Sequence, residues 1–246
     1  MEAKVNIMGL DVDLISKDSF TKRIDEYLNN DYLNLIFILS TTMVYDAMEH
    51  EAYKEALSKA HMLVPGEEAM LNEFHVDALR ETGIVTNYRC MYQILDGIKE
   101  QNKTMYLVGV DEADMKHFIK MCKELFPGIC ILGAYCVTED INMELVVNEI
   151  NSEDPDIVTV FMNSPEQENW IVDNCAKINA KLCIGIGGII KQMLEDYKEA
   201  PILYRKLGLE EIYNKYIRSW INSIKKVWQN RMFERKNEHY KNKKGE

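Results

Sequence analysis

The sequence lacks the short cysteine signatures of a metal or disulfide scaffold. Its six cysteines (Cys90, Cys122, Cys130, Cys136, Cys175 and Cys183) form no CxxC pair and no Cys/His cluster. That spacing argues against a structural zinc or a disulfide framework and suits a reducing cytoplasm. Cys122, Cys130 and Cys183 fall in apolar runs and read as small buried hydrophobes. No apolar run approaches the ~18 residues that a membrane-crossing helix requires. Residues Met1 to Asn6 show neither the charged start nor the roughly 7–15-residue apolar stretch of a secretory leader. The expectation is a cytoplasmic chain that does not span the membrane. GxGxxG and the GK[ST] phosphate loop are both missing, as are internal repeats and low-complexity linkers.

What is present is a chain of 246 residues, 47% hydrophobic and 28% charged. That suits one large domain, or one domain with an appendage, folding without covalent help. The net charge of −11 is unevenly spread. From Arg205 onward there are 12 Lys+Arg and 5 Asp+Glu, about +7, which leaves 17 basic and 35 acidic residues, about −18, in the body. An acidic body argues against nucleic acid as a partner, whereas a basic tail suits an anionic surface such as the inner leaflet.

Apolar β-rich runs alternate with amphipathic segments, the pattern of repeated βα units. Strands are predicted over 5–8, 33–39, 62–64, 105–110, 129–132, 157–161 and 182–186. Helices are predicted over 17–29, 42–59, 88–101, 112–126, 143–151 and 165–178. Several strand runs are continuously apolar, as in a sheet covered on both faces. Within 112–126, Met115, Phe118, Ile119, Cys122 and Leu125 recur at helical spacing. The fold class is therefore α/β, a mostly parallel sheet with helices on both faces. Residues 1–204 form the domain and 205–246 a basic amphipathic helical appendage with a disordered end. In that tail Ile212, Tyr216, Trp220, Ile224 and Val227 mark one face, while Lys215, Arg218 and Lys225 mark the other. Such a helix either docks on the domain or lies in a membrane interface with its cations on anionic lipid.

Ligands of open parallel sheets bind beyond the carboxyl ends of the strands, which directs attention to four loops. Ser40-Thr41-Thr42 offers hydroxyls for a sugar or phosphate, or simply a helix N-cap. Pro65-Gly66-Glu67-Glu68 offers a carboxylate for general-base work, or ordinary dipole compensation in a first helical turn. Ser164-Pro165-Glu166-Gln167 reads locally as a helix start, with Ser164 as N-cap and Gln167 closing a capping box. Gly185-Ile186-Gly187-Gly188 allows close backbone approach to a phosphate, or tight strand–helix packing.

In combination and order these segments are recognisable. Ile7-Met8-Gly9-Leu10-Asp11-Val12-Asp13, Glu81-Thr82-Gly83, Ser164-Pro165-Glu166-Gln167-Glu168-Asn169-Trp170-Ile171, Ile184-Gly185-Ile186-Gly187-Gly188 and Ala200-Pro201-Ile202-Leu203-Tyr204-Arg205-Lys206-Leu207-Gly208-Leu209-Glu210 resemble the WecG/TagA/CpsF family, glycosyltransferase family 26. The resemblance implies a Rossmann-like fold without a metal requirement or cofactor. It implies transfer of an N-acetylhexosamine-type sugar from a UDP-sugar to a polyprenyl-diphosphate-linked acceptor at the cytoplasmic membrane face. Self-association, and a C-terminal appendage that reaches the lipid, are implied as well. By the same resemblance Arg80, Thr82, Gln167, Gly187 and Gly188 would bind substrate; Ser40 and Thr41 join them as the strand-end hydroxyls, and Arg218, Lys225 and Lys226 of the basic tail would meet membrane or acceptor. The family's usual catalytic Asp falls at Gly66 here, which leaves Glu67 as the candidate base. Ser40 replaces a usual Asn, Ile190-Lys191-Gln192 replaces an aromatic-Asp-aromatic run, and Glu199 replaces an Arg.

Overall fold

In the computed structural model the described residues are 2–76, 85–86, 90–137 and 143–197. The chain opens with an antiparallel hairpin, β1 (Glu2–Ile7) and β2 (Leu10–Ile15), paired from Glu2↔Ile15 to Ile7↔Leu10. Its two-residue turn, Met8-Gly9, has positive φ at both positions, 50° and 90°, which matches the twist of the flanking strands. After α1 (Lys17–Asn29) come β3 (Asn34–Leu39), α2 (Thr41–Glu49), α3 (Glu51–Ser58), β4 (Met62–Pro65) and α4 (Glu68–Glu73). The second half comprises α5 (Cys90–Glu100), β5 (Thr104–Gly109), α6 (Glu112–Leu125), β6 (Cys130–Cys136), α7 (Met143–Glu153), β7 (Ile157–Phe161), α8 (Glu166–Asn174), β8 (Leu182–Gly185) and α9 (Ile189–Asp196).

β3 to β8 form one six-stranded sheet in the order β4-β3-β8-β7-β5-β6, with every pair parallel. Strand alternation divides the core into two layers. Ile36, Ile38, Leu107, Ile157 and Ile184 face α1, α5, α6 and α9. Leu35, Phe37, Val108, Val158 and Cys183 face α2, α3, α4, α7, α8 and the hairpin. Burial of both faces explains why the strand runs are apolar throughout rather than alternating. The architecture is Rossmann-like α/β. Within α6 the spaced residues Met115, Phe118 and Cys122 are buried as predicted, and Phe118 packs edge-on against Phe161 with ring centroids 4.9 Å apart.

Three local expectations are corrected. The strand predicted at 5–8 belongs to a separate hairpin, whose second strand carries the two-residue alternation Leu10, Val12, Leu14. The single helix predicted over 42–59 is broken at His50, which leaves helical geometry (φ −127°, ψ 97°) to end α2 and start α3. Cys130, read as buried, is exposed because it begins the edge strand β6, whereas Cys122 and Cys183 are buried.

Candidate functional site

β4, β3, β8 and β7 are consecutive in a parallel sheet, so the loops that follow them line one edge. Glu67, Ser40–Thr41, Gly185–Gly188 and Met162–Gln167 therefore share that edge. The helices after β3 and β7 lie on one face of the sheet and the helix after β8 on the other. This divergence on either side of β8 is where open α/β sheets leave a crevice.

The first part of the edge is a clamp between β4 and β3. Ser40 N-caps α2, its Oγ accepting from Met43 N at 3.2 Å. Glu67 does not cap α4. Its Oε1 instead accepts from the Thr41 backbone N–H at 2.7 Å and from Thr41 Oγ1 at 2.8 Å. The carboxylate thus sits at the positive end of α2, a favourable placement for a negative charge. Beneath it Gly66 N donates to Leu39 O at 2.7 Å. A Cβ on Gly66 would lie 2.7 Å from that same oxygen and 3.0 Å from Ile38 Cγ2. Position 66 is therefore filled by backbone. The aspartate that the family resemblance would place there has no room on this backbone.

The second part joins β7 to β8. The local reading of 164–167 as a capping box is overturned. Ser164-Pro165 is a cis peptide, Pro165 takes the N-cap position, and no side chain caps the helix. The polar side chains of this segment reach elsewhere. Gln167 Oε1 accepts from Gly187 N at 2.9 Å and Met162 N at 3.3 Å, and Gln167 Nε2 donates to Glu168 Oε1 at 2.6 Å. Gln167 is only 2% exposed. Its carboxamide also explains Gly185, where a Cβ would fall 2.7 Å from Nε2, whereas one on Gly187 would meet Met162 O at 3.3 Å first. Gly187 further adopts φ +41°, in the left-handed region that favours glycine. Gly188 differs, since a Cβ there would meet nothing within 4 Å. The Gly188 side of the loop is the open one.

Glu168, fully buried, accepts from Tyr53 Oη at 3.0 Å, Ser164 Oγ at 3.1 Å and Gln167 Nε2. Burial raises its carboxyl above the usual range, and these three donors oppose the rise. Tyr53 is raised too, by its own burial and then by the Glu168 charge. The sequence reading missed the Thr41–Glu67 and Tyr53–Glu168 pairings. Their partners are 26 and 115 residues apart, with no local signal connecting them. Arg80, Thr82, Arg218, Lys225 and Lys226 lie outside the described residues. Among the described residues no group of three His, Cys, Asp or Glu converges as a metal centre, and no helix is long and apolar enough to cross a membrane.

Fold and edge together define a Rossmann-like α/β protein whose candidate ligand crevice surrounds the end of β8. The chain belongs to the glycosyl transferase WecG/TagA/CpsF family, which it matches over residues 5–221. It is similar to N-acetylglucosaminyldiphosphoundecaprenol N-acetyl-beta-D-mannosaminyltransferase of Staphylococcus aureus strain MRSA252, with 25% identity over 217 residues, 87% of this chain and 85% of the relative. The protein of the same name from strain MW2 is 25% identical over 213 residues, 86% of this chain and 84% of the relative.

Proposed function

We propose that the protein transfers an N-acetylhexosamine-type sugar, N-acetylmannosamine or its uronic acid form, from a UDP donor to a polyprenyl-diphosphate-linked acceptor. This chemistry serves assembly of teichoic acid or another cell-surface polysaccharide. The observation that carries the reading is the meeting of Gln167 and Gly187 at 2.9 Å beside the Thr41–Glu67 clamp, on the edge where such sheets bind ligands. The relatives' names supply the sugar and the lipid-linked acceptor.

In this reading the open Gly188 side of the loop takes the donor diphosphate, with Arg80 and Thr82 contributing as the family resemblance implies. Glu67 Oε1 is held by Thr41, and Oε2 accepts the proton of the acceptor hydroxyl. The deprotonated acceptor oxygen then attacks the anomeric carbon as the bond to UDP breaks, inverting the centre. No cofactor takes part. Arg218, Lys225 and Lys226 draw the C-terminal segment to the anionic inner face of the membrane, where the acceptor resides, and the protein works there as a peripheral enzyme.

A second reading is a family member without turnover that binds sugar nucleotide or scaffolds a partner. Gly66 favours it, because the position of the family's usual carboxylate is closed by Leu39 O at 2.7 Å. The test is a transfer assay with several UDP-sugars and a short-chain lipid acceptor. Turnover that falls about 10²–10⁴-fold in Glu67→Gln supports the transferase. UDP binding without turnover across all donors supports the second reading, and turnover unaffected by Glu67→Gln removes Glu67 as base.

A further inference from the structure

Gln167 Oε1 faces the two backbone N–H groups of the loops only while the amide is held the right way round. A carboxamide flipped by 180° would point its NH₂ at Gly187 N and Met162 N, donor against donor. Glu168 Oε1, 2.6 Å from Nε2, reinforces that choice because this oxygen accepts there, as it does from Ser164 Oγ. Glu168 is in turn fixed from two sides, by Ser164 Oγ on its own segment and by Tyr53 Oη from α3. The chain of contacts runs from α3 through α8 to the loop after β8.

We propose that Glu168 is a positioning residue for the Gly185–Gly188 loop, acting through the orientation of the Gln167 amide, with Tyr53 as its outer anchor. A buried carboxylate is costly unless its donors satisfy it, and a glutamate used only for packing would be replaced at a gain by an apolar side chain. Three converging donors, one of which bridges to a loop of the candidate crevice, give this carboxylate a directional task. The consequence for ligand binding rests on the donor-site reading above. The consequence for the loop does not.

The experiment is amide hydrogen exchange on the full chain, read at Gly187 and Met162, with a UDP titration in parallel. Glu168→Gln replaces one acceptor oxygen with an NH₂, which faces either Gln167 Nε2, a donor only, or a hydroxyl that must reverse its bond to accept. It is expected to speed exchange at Gly187 about 5–10-fold, the worth of one net hydrogen bond. Amides of α8 beyond its first turn should keep their protection. Should Glu168→Gln fail to fold, Tyr53→Phe, which removes one donor and little volume, is expected to move Gly187 exchange in the same direction by about 2–5-fold. A double-mutant cycle with Gln167→Met separates routes: the Glu168 effect on Gly187 exchange should vanish once the amide is gone. Unchanged Gly187 exchange in a folded Glu168 or Tyr53 variant, or an effect that persists with Gln167→Met, overturns the proposal. UDP affinity of Glu168→Gln is expected to fall in proportion to the exchange change. Absence of UDP binding by the unaltered chain would sink the donor-site reading instead, with the exchange result still deciding the role of Glu168.

Discussion

Placing a side chain at position 66 tests the register of the loop on which the Glu67 assignment depends. In Gly66→Ala the new methyl would sit 2.7 Å from Leu39 O, 3.0 Å from Ile38 Cγ2 and 3.4 Å from Ile189 Cδ1. The first of these is backbone at the end of β3, and it already accepts the Gly66 N–H at 2.7 Å. Relief therefore means parting two strand ends rather than turning a side chain. Overpacking of this kind costs about 1–3 kcal/mol. Stiffening the unfolded chain by Gly→Ala returns about 0.4–1 kcal/mol. Because the nearest atom is backbone, the upper half of the overpacking range applies; the net is roughly 1–2.6 kcal/mol, and for a chain of this size that lowers the melting temperature by about 2–10 °C. Thermal melts and urea midpoints, taken with an unchanged m-value, read the effect. Gly66→Asp should lose at least as much and should not raise transfer, because the carboxylate arrives with the same clash. A Gly66→Ala protein within ~0.5 kcal/mol of the unaltered one, or faster transfer by Gly66→Asp, would refute the reasoning. Either result would mean that the loop opens to admit the family's usual carboxylate.

Two further outcomes follow from other parts of the chain. His61 Nδ1 accepts from Leu35 N at 3.0 Å, and burial lowers the imidazole pKa, so the fold requires the neutral ring. Its contribution is present above the unfolded value of about 6.5 and is lost as pH falls below it towards the folded value. Melting temperature should accordingly decline as pH falls below about 6.5, and His61→Asn, which keeps an acceptor at that position, should flatten the decline. An equal slope in both proteins would exclude His61 as the cause. For the basic tail, changing Arg218, Lys225 and Lys226 to Glu should weaken binding to anionic vesicles at low salt by about 100-fold or more, at roughly 1 kcal/mol per cation. Unchanged binding would remove the membrane role of those residues.

The parts of the fold that announced themselves were those governed by local periodicity. The run Asn34–Leu39 is buried at every position, as its lack of polar alternation foretold, and α6 buries Met115, Phe118 and Cys122 and half-buries Ile119 and Leu125. The missed elements depend on one or two residues. Met8-Gly9 turns a short apolar alternation into a hairpin, and His50 interrupts a pattern that is helical on both sides of it. At the candidate site the loops were legible from strand ends and glycines, whereas their wiring was not. Ser164 and Gln167 have the right spacing for a capping box, and the competing bonds, a long-range one from Gly187 N and local ones to Glu168, won. A local motif states which hydrogen bonds are available to a segment. It does not reveal that a loop 20 residues onward offers a better partner.

The hairpin carries a consequence for how molecules of this protein meet. β4 is an outermost strand, and an open ladder of that kind invites a neighbour's strand. Here Asp13 of β2 reaches the Leu63 N–H of β4 at 3.0 Å, and Pro65 at the end of β4 has no N–H to offer. Neither outward N–H position of β4 is thereby left to pair with an added strand. Among the described residues the rim left with an open ladder is the opposite one, at β6, where Cys130 is exposed.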